Sequence, residues 1–336
     1  MSTNVPGEWA PHKAMWLGFP SHEEVWEDNL APAQAEVAAL ARALAGPGLE
    51  RVRLMTGCEA GEAVARQMLG DVPGIEIFAG RFGDVWLRDT GPIFAPSADG
   101  GAVAHGFGFN GWGGKYVMDH DEEVAEQIAT ASGTPLVRHE LIMEGGSLDH
   151  DGLGTILTTR ECLLNPNRNG DMTMDQAEAA LAEALGSTKL IWLGEGLRND
   201  HTDGHIDNLA RFVAPGVVVC PMGFGRGDVN VDVYDEAARI LASSTDAQGR
   251  PLKLVRIPSP GWIEGHDGRV APASHMNFII ANGAVIVPTY SQGQAAALAV
   301  EALGGLFPDR QIIPLPSHAL LSGGGSFHCI TQQEPA

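Results

Sequence analysis

Four short segments put reactive side chains among glycines and turn residues. They are "DVWLRDTGPIF" (84–94), "IMEGGSL" (142–148), "HTDGHIDN" (201–208) and "GGGSFHCITQQ" (323–333). Together they supply a thiol (Cys329), an imidazole (His205) and three carboxylates (Asp89, Glu144 and Asp207). Each also has a plain structural reading. Asp89, just ahead of Gly91-Pro92, could cap a turn, and Glu144 before two glycines could simply be solvated. His205 and Asp207 project to one face if the chain is extended. As an HxD pair they could ligate zinc or iron, although no HExxH or second histidine pair stands nearby. Cys58, Cys162 and Cys220 read as core residues. Cys329 instead has glycines and polar residues for neighbours, as suits a strand-end thiol facing a pocket.

Taken as a set, the five groups suit a flat cationic guanidinium, whose donors pair bidentately with carboxylates. Two aspartates can grip its nitrogens, a thiolate can attack its central carbon and a histidine can move protons. Two hydrolase classes fit less well. GxSxG is absent, and a papain-like site would carry an early Cys and a late His, the reverse of this chain.

Bulk properties narrow the partners. The 336 residues are 44% hydrophobic and 19% charged, as in an ordinary globule. Net charge is −21, from 21 Lys+Arg against 42 Asp+Glu, which argues against nucleic acid and anionic membrane and favours a cationic ligand. The four cysteines are too irregularly spaced for a disulfide framework or a CxxC metal site. No apolar run approaches a membrane span. Met1 to Trp9 has neither the basic segment nor the apolar run of a secretory signal, so a cytoplasmic location is the expectation.

The elements that must position these groups alternate along the whole chain. Apolar residues at three- and four-residue spacing, as in Val37, Leu40 and Leu44, predict helices at 32–44, 60–69, 119–131, 174–185, 234–242 and 292–303. Short apolar runs predict strands at 51–55, 75–78, 85–88, 155–158, 190–192, 209–213, 217–220, 252–256, 276–281, 284–287 and 311–314. "NLARFVAPGVVVC" and "MNFIIANGAVIVP" read as hairpins around Pro-Gly and Asn-Gly. The phrase of strand, helix, strand and polar turn recurs about every sixty residues. Such an α/β repeat could form an open sheet, a barrel or a ring of modules, and the hairpins argue against a purely parallel sheet.

The sequence strongly resembles the agmatine deiminase family of the peptidylarginine-deiminase-like, guanidine-modifying (pentein) superfamily. The likeness runs from "PGEWAPHKAMWLGFP" through "DVWLRDTGP", "FNGWGGKY", "EGGSLDHDGLGTILTTRECLLNPNRN", "DGHIDNLARFVAPG" and "SHMNFIIANGAVIVP" to "GGGSFHCITQQEP". It implies a single domain, 1–336, with a pentein α/β-propeller fold: five pseudo-symmetric ββαβ-type modules around a central site. It also implies Cys329 as nucleophile, His205 as general acid/base, Asp89 and Asp207 as guanidinium-binding groups, Glu144 as their support and Trp86 as a channel wall. No cofactor or metal is implied, and a homo-oligomer, dimer or tetramer, is. The expected reaction converts agmatine to N-carbamoylputrescine and ammonia through a Cys thiouronium intermediate. Where the family generally has an acid four residues before its histidine, this chain has His201, so His201 and Asp200 are expected to meet the substrate tail. Three other readings stand beside this one: a deiminase of arginine or a guanidino acid, a metal-dependent amidohydrolase, and a non-catalytic binding protein.

Overall fold

The computed structural model describes residues 4–97, 100–265, 268–291 and 293–336. Within them the strands form five small sheets. In chain order they are β1 (His12–Phe19), β2 (Val52–Thr56), β3 (Ile75–Ala79), β4 (Ile93–Pro96), β5 (Ala102–Gly108), β6 (Leu136–Ile142), β7 (Asp149–His150) and β8 (Thr155–Thr159). There follow β9 (Lys189–Leu193), β10 (Arg211–Ala214), β11 (Val217–Met222), β12 (Lys253–Pro258), β13 (Ile279–Ile280), β14 (Ala284–Thr289), β15 (Gln311–Pro316) and β16 (Thr331–Pro335). Four sheets, starting at β4, β7, β10 and β13, repeat one pattern. An antiparallel pair is followed by a helix and then by a third strand parallel to the second. The first sheet has the order β16-β1-β2-β3 and obeys the same rule only because the C-terminal strand is the antiparallel partner of β1. The ends of the chain therefore meet in one module, which closes a five-module α/β propeller.

The linking helices are Leu30–Ala45, Val124–Ser132, Met174–Leu185, Val231–Ala242 and Gln294–Leu306. Their boundaries follow local chemistry. Thr173 and Gln176 form a reciprocal capping box at the start of one, and Gly133 and Gly186 end two of them in the left-handed region, at φ 70 and φ 69. Each helix lays an apolar stripe on its sheet. Val233, Ala237 and Leu241, for example, pack with Phe212 and Val218. No helix among the described residues is long and apolar enough to cross a membrane.

The helices and both hairpins agree with the sequence expectations to within a few residues, while several strands do not. Residues 85–88 are no strand: Leu87–Thr90 is a single helical turn, because Asp84 accepts from its neighbour Val85 N and the Thr90 and Gly91 amides bond back to Trp86 and Leu87. The strand expected at 276–281 shrinks to Ile279–Ile280, because Ser274 Oγ accepts from Met276 N and the Asn277 amide turns back to Ser274 O. The helix expected from 119 begins as a 3-10 turn at Asp121–Glu123. Gln292, the expected start of another helix, lies outside the described residues. Strands β1, β4, β5, β6, β7 and β16 have no counterpart in the expectations. β16 reads "TQQEP" and carries no apolar alternation, because its buried side chains are polar: Thr331 and Gln332 are committed to hydrogen bonds and Glu334 to ion pairs.

Those ion pairs carry the closure. Glu334 on β16 is buried and accepts from Arg53 on β2, from Lys13 Nζ at 2.6 Å and from Trp16 Nε1 at 3.3 Å. Removing the carboxylate would leave buried Arg53 with the Trp16 and Phe78 rings and, among the described residues, the Glu76 carboxylate 3.9 Å away. Breaking a buried pair in this way costs several kcal/mol. We expect Glu334→Ala to lower unfolding stability by about 3 kcal/mol, read as a shifted urea midpoint with the slope unchanged.

Candidate active site

Each module sends site residues in from the segment that enters its first strand. Asp89 precedes β4, Glu144 and Gly146 precede β7, His205 and Asp207 precede β10, Asn277 precedes β13 and Cys329 precedes β16. Fivefold repetition thus converts residues scattered over the chain into one cluster. The backbone around His205 departs from expectation. Ile206–Asn208 is a 3-10 turn, because the Leu209 and Ala210 amides both bond to Ile206 O. His205 and Asp207 therefore reach the cluster from a turn and not from one face of an extended strand.

Asp89, Glu144, His205, Asp207 and Cys329 are all buried. His205 Nε2 lies 3.3 Å from Glu144 Oε2, and both oxygens of Glu144 accept from Arg168, at 2.8 and 3.1 Å. His205 Nδ1, 3.7 Å from Asp89 Oδ1, has no hydrogen-bond partner. Asp89 Oδ1 accepts from Gly146 N and its Oδ2 from Trp112 Nε1, each at 3.0 Å. Asp207 Oδ2 pairs with His328 Nδ1 at 2.8 Å and lies 3.6 Å from Cys329 Sγ, while its Oδ1 is buried with no partner. Asn277 Nδ2 donates to Cys329 Sγ at 3.1 Å, and Asn277 Oδ1 accepts from the His328 amide at 2.8 Å. Buried polar atoms without partners are uncommon in folded proteins. Here two of them, on His205 and Asp207, belong to one cluster.

Electrostatics reinforce that geometry. Burial first, then the Asp207 and Asp89 charges, push the Cys329 thiol well above its ordinary value. Burial, with Asp207 and Glu144, outweighs the pull of His205 and lifts the Asp89 carboxyl to about 6. Burial opposes the charged form of Asp207 as well, yet the His328 hydrogen bond and the neighbouring charges hold that carboxyl below its usual range. Burial also opposes a charged His205, but Asp89, Cys162 and Glu144 together raise it well above the usual imidazole value.

A cleft of about 400 Å³ opens over Cys329 and Asp89. Trp26, Trp86, Trp112 and Tyr116 line it, with Glu24 and His201 among its further lining residues. The glycines beside Cys329 are explained here. A Cβ on Gly323 would lie 2.8 Å from the Trp26 ring, and one on Gly325 would lie 2.5 Å from the Trp86 ring. Gly324 has φ +107, which L side chains rarely adopt. His201 is exposed, with its Nδ1 3.4 Å from the Tyr116 hydroxyl. Asp200 is turned away: it accepts from the Thr202 amide and hydroxyl and from Asn208, and it does not line the cleft. The sequence-based assignment of Asp200 to the substrate tail is therefore not supported.

Cys162 sits behind the cluster, 3.7 Å from Glu144 Oε2, and does not line the cleft. Glu144, Cys162 and His205 bring three donor atoms within 4.8 Å of one another. That set is poorly suited to a metal ion, because Arg168 already occupies both Glu144 oxygens and its guanidinium would face the cation.

Residues 4–335 match the family model described as Porphyromonas-type peptidyl-arginine deiminase. The chain belongs to this family. It is 38% identical to an agmatine deiminase of Stutzerimonas stutzeri, over 99% of this chain and 95% of that one. Among solved structures it is similar to the agmatine deiminase of Enterococcus faecalis, with TM-score 0.92, 31% identity and coverage of 99% and 96%. It is also similar to a substrate-bound C. jejuni agmatine deiminase, with TM-score 0.89, 27% identity and the same coverage.

Several residues of the cluster went unassigned in the sequence. Trp112 and Asn277 lie inside the family-like segments "FNGWGGKY" and "SHMNFIIANGAVIVP", but an indole and an amide carry no chemical signal until their partners are known. Gly146 was visible only as part of a Gly-Gly turn. A Cβ there would lie 2.6 Å from His205 Nδ1, 2.7 Å from Asp89 Oδ1 and 3.2 Å from Asp207 Oδ2. We expect Gly146→Ala to reduce kcat/KM by about a hundredfold or more while leaving the circular dichroism spectrum and the melting temperature close to wild type.

A pH dependence follows from the carboxyl and the thiol. Below about pH 6 Asp89 takes up a proton and loses its attraction for a cation, so kcat/KM should fall on that acid limb. The same shift has the opposite sign for stability: Asp89's contribution is complete below its ordinary 3.8 and lost as pH rises through about 6. Alkylation of Cys329 by iodoacetamide should be slow at pH 7 in the free enzyme. A rapid reaction with a thiol pKa below the ordinary value of about 8.5 would contradict that.

Proposed function

We propose that the protein is an agmatine deiminase, hydrolysing the guanidinium group of agmatine to N-carbamoylputrescine and ammonia. One observation carries this reading. A tryptophan-lined cleft ends on Cys329 and Asp89, and just behind them lie a buried imidazole nitrogen without a hydrogen-bond partner, 3.7 Å from Asp89, and the buried Asp207, 3.6 Å from the thiol and with one oxygen unpartnered. The membership and similarities described above support it.

On this reading Asp89 and Asp207 receive the guanidinium N–H groups, which gives Asp207 Oδ1 its missing partner. The substrate's charge offsets the two carboxylates that hold the Cys329 proton in place, so binding itself promotes the thiolate, the thiol proton passing to solvent. Cys329 Sγ then bonds to the guanidinium carbon. His205 passes a proton to the departing nitrogen, the C–N bond breaks and ammonia leaves a thiouronium on sulfur. Neutral His205 next takes a proton from water, whose oxygen bonds to the same carbon as the C–S bond breaks, restoring Cys329 and releasing the ureido product. Glu144, fixed by Arg168, orients His205 and stabilises its charged form.

The test is ammonia release from agmatine, arginine and 4-guanidinobutyrate by wild type and Cys329→Ala, with the product identified by mass spectrometry. We expect agmatine to be the preferred substrate. Cys329→Ala should lose about four orders of magnitude in kcat, in line with removal of a covalent nucleophile. Activity retained in Cys329→Ala would refute the covalent route, and preference for an acidic or zwitterionic guanidine would refute agmatine as substrate.

A further inference from the structure

The cleft over Cys329 is lined by three carboxyl-bearing residues, Glu24, Asp84 and Asp89; on the reading above Asp89 takes the guanidinium and Asp84 holds two indoles, which leaves Glu24 for a second charge. Asp89 lies at the thiol end, where Gly146 and Trp112 already engage its oxygens. Asp84 is buried and fully used: Oδ1 accepts from Trp26 Nε1 at 3.2 Å and Val85 N at 2.8 Å, and Oδ2 from Trp86 Nε1 at 2.7 Å. Its work is to fix the two indoles. The Glu24 side chain is 78% exposed, and the charged group paired with it, His22 Nδ1, stands 3.7 Å away, beyond hydrogen-bond reach. At the other side of the mouth stands the His201 imidazole, not a carboxylate.

The thiol, Trp86, Trp26 and Glu24 all line one cleft. A Cβ on Gly325 would lie 3.1 Å from Cys329 Cβ and 2.5 Å from Trp86, so the first indole begins beside the nucleophile. The ring centroids of Trp86 and Trp26 are 6.0 Å apart. Trp26 closes the short helix Glu23–Trp26, which also carries Glu24. An extended four-carbon tail places its terminal nitrogen about 7 Å from the guanidinium carbon, a span suited to methylenes lying along indole faces. Those faces also attract a cation by their quadrupole.

We propose that Glu24 receives the ammonium end of the substrate, so that selectivity for a cationic tail is set from the first module rather than from position 201. This assignment rests on the agmatine reading above. Because Glu24 is exposed, its effect should be modest and electrostatic.

The experiment compares agmatine with 1-butylguanidine, which keeps the guanidinium and four carbons but ends in a methyl group. In Glu24→Gln the ratio of kcat/KM for agmatine to that for butylguanidine should fall about five- to tenfold, chiefly through KM. In Glu24→Lys it should fall further, while turnover of 4-guanidinobutyrate, whose tail is a carboxylate, should rise. Wild type that prefers agmatine, with a ratio held within about twofold in both variants, overturns the Glu24 assignment alone. Wild type inactive on agmatine but active on another guanidine overturns the substrate reading, and the Glu24 assignment falls with it.

Discussion

Two carboxylates are buried close to one thiol, and their charges resist its ionisation. Asp89, Asp207 and Cys329 are all buried, and like charges at such range repel strongly. The surrounding structure is arranged to tolerate that repulsion from behind while leaving the front open. Asp89 is held by an amide and an indole, both neutral donors. Asp207 is backed by His328, whose Nε2 lies 3.3 Å from Glu8. Glu8 in turn pairs with Arg211, whose guanidinium also reaches Asp149 and the carbonyls of Met276 and Phe278. The charge of Asp207 is thus shared with a buried network that joins the N-terminal segment to three modules. The front faces of the two aspartates remain for a cation that comes and goes.

Ring closure is what makes so tight an arrangement reproducible. Cys329 lies two residues before β16, and β16 is in register with β1, with Thr331 opposite Leu17. The Ile330 carbonyl accepts from Gly18 N at 3.0 Å and the Cys329 carbonyl accepts from Arg88 N at 3.0 Å. Arg88 also donates to Gln332 at 2.6 Å and to Gln333 at 2.8 Å. The nucleophile proposed above is therefore locked to the module that supplies Asp89, although more than two hundred positions separate them in the chain. A segment of polar sequence is thus the edge strand that pairs with β1 and closes the ring.

The separation of roles among the histidines follows from the same geometry. His328 is adjacent to Cys329 in sequence, yet both of its ring nitrogens face carboxylates behind the site. His205 keeps one nitrogen on Glu144 and leaves the other without a partner inside the cluster. Only the second arrangement suits a group that must exchange protons with a substrate.

Several features were set by the sequence alone. The apolar stripes of the long helices, the Pro-Gly and Asn-Gly hairpins, the repeat of about sixty residues and the set of thiol, imidazole and carboxylates all depend on local spacing and residue type. Those signals survive without knowledge of any partner. Tertiary structure decided the rest, because the remaining signals are contacts. "TQQEP" becomes a strand only when β1 offers its edge and Arg53 and Arg88 need buried acceptors. No strand forms at 85–88, and Leu87–Thr90 turns helical, because Asp84 serves two indoles and its own chain. His205 and Asp207, which an extended reading would place on one strand face, are presented instead by a 3-10 turn. Residue types announced which chemistry was available, since ionisation and nucleophilicity belong to side chains. Which groups face the same point, which stay free and which are committed elsewhere was decided by the closing of the ring, since only packing determines distance and burial.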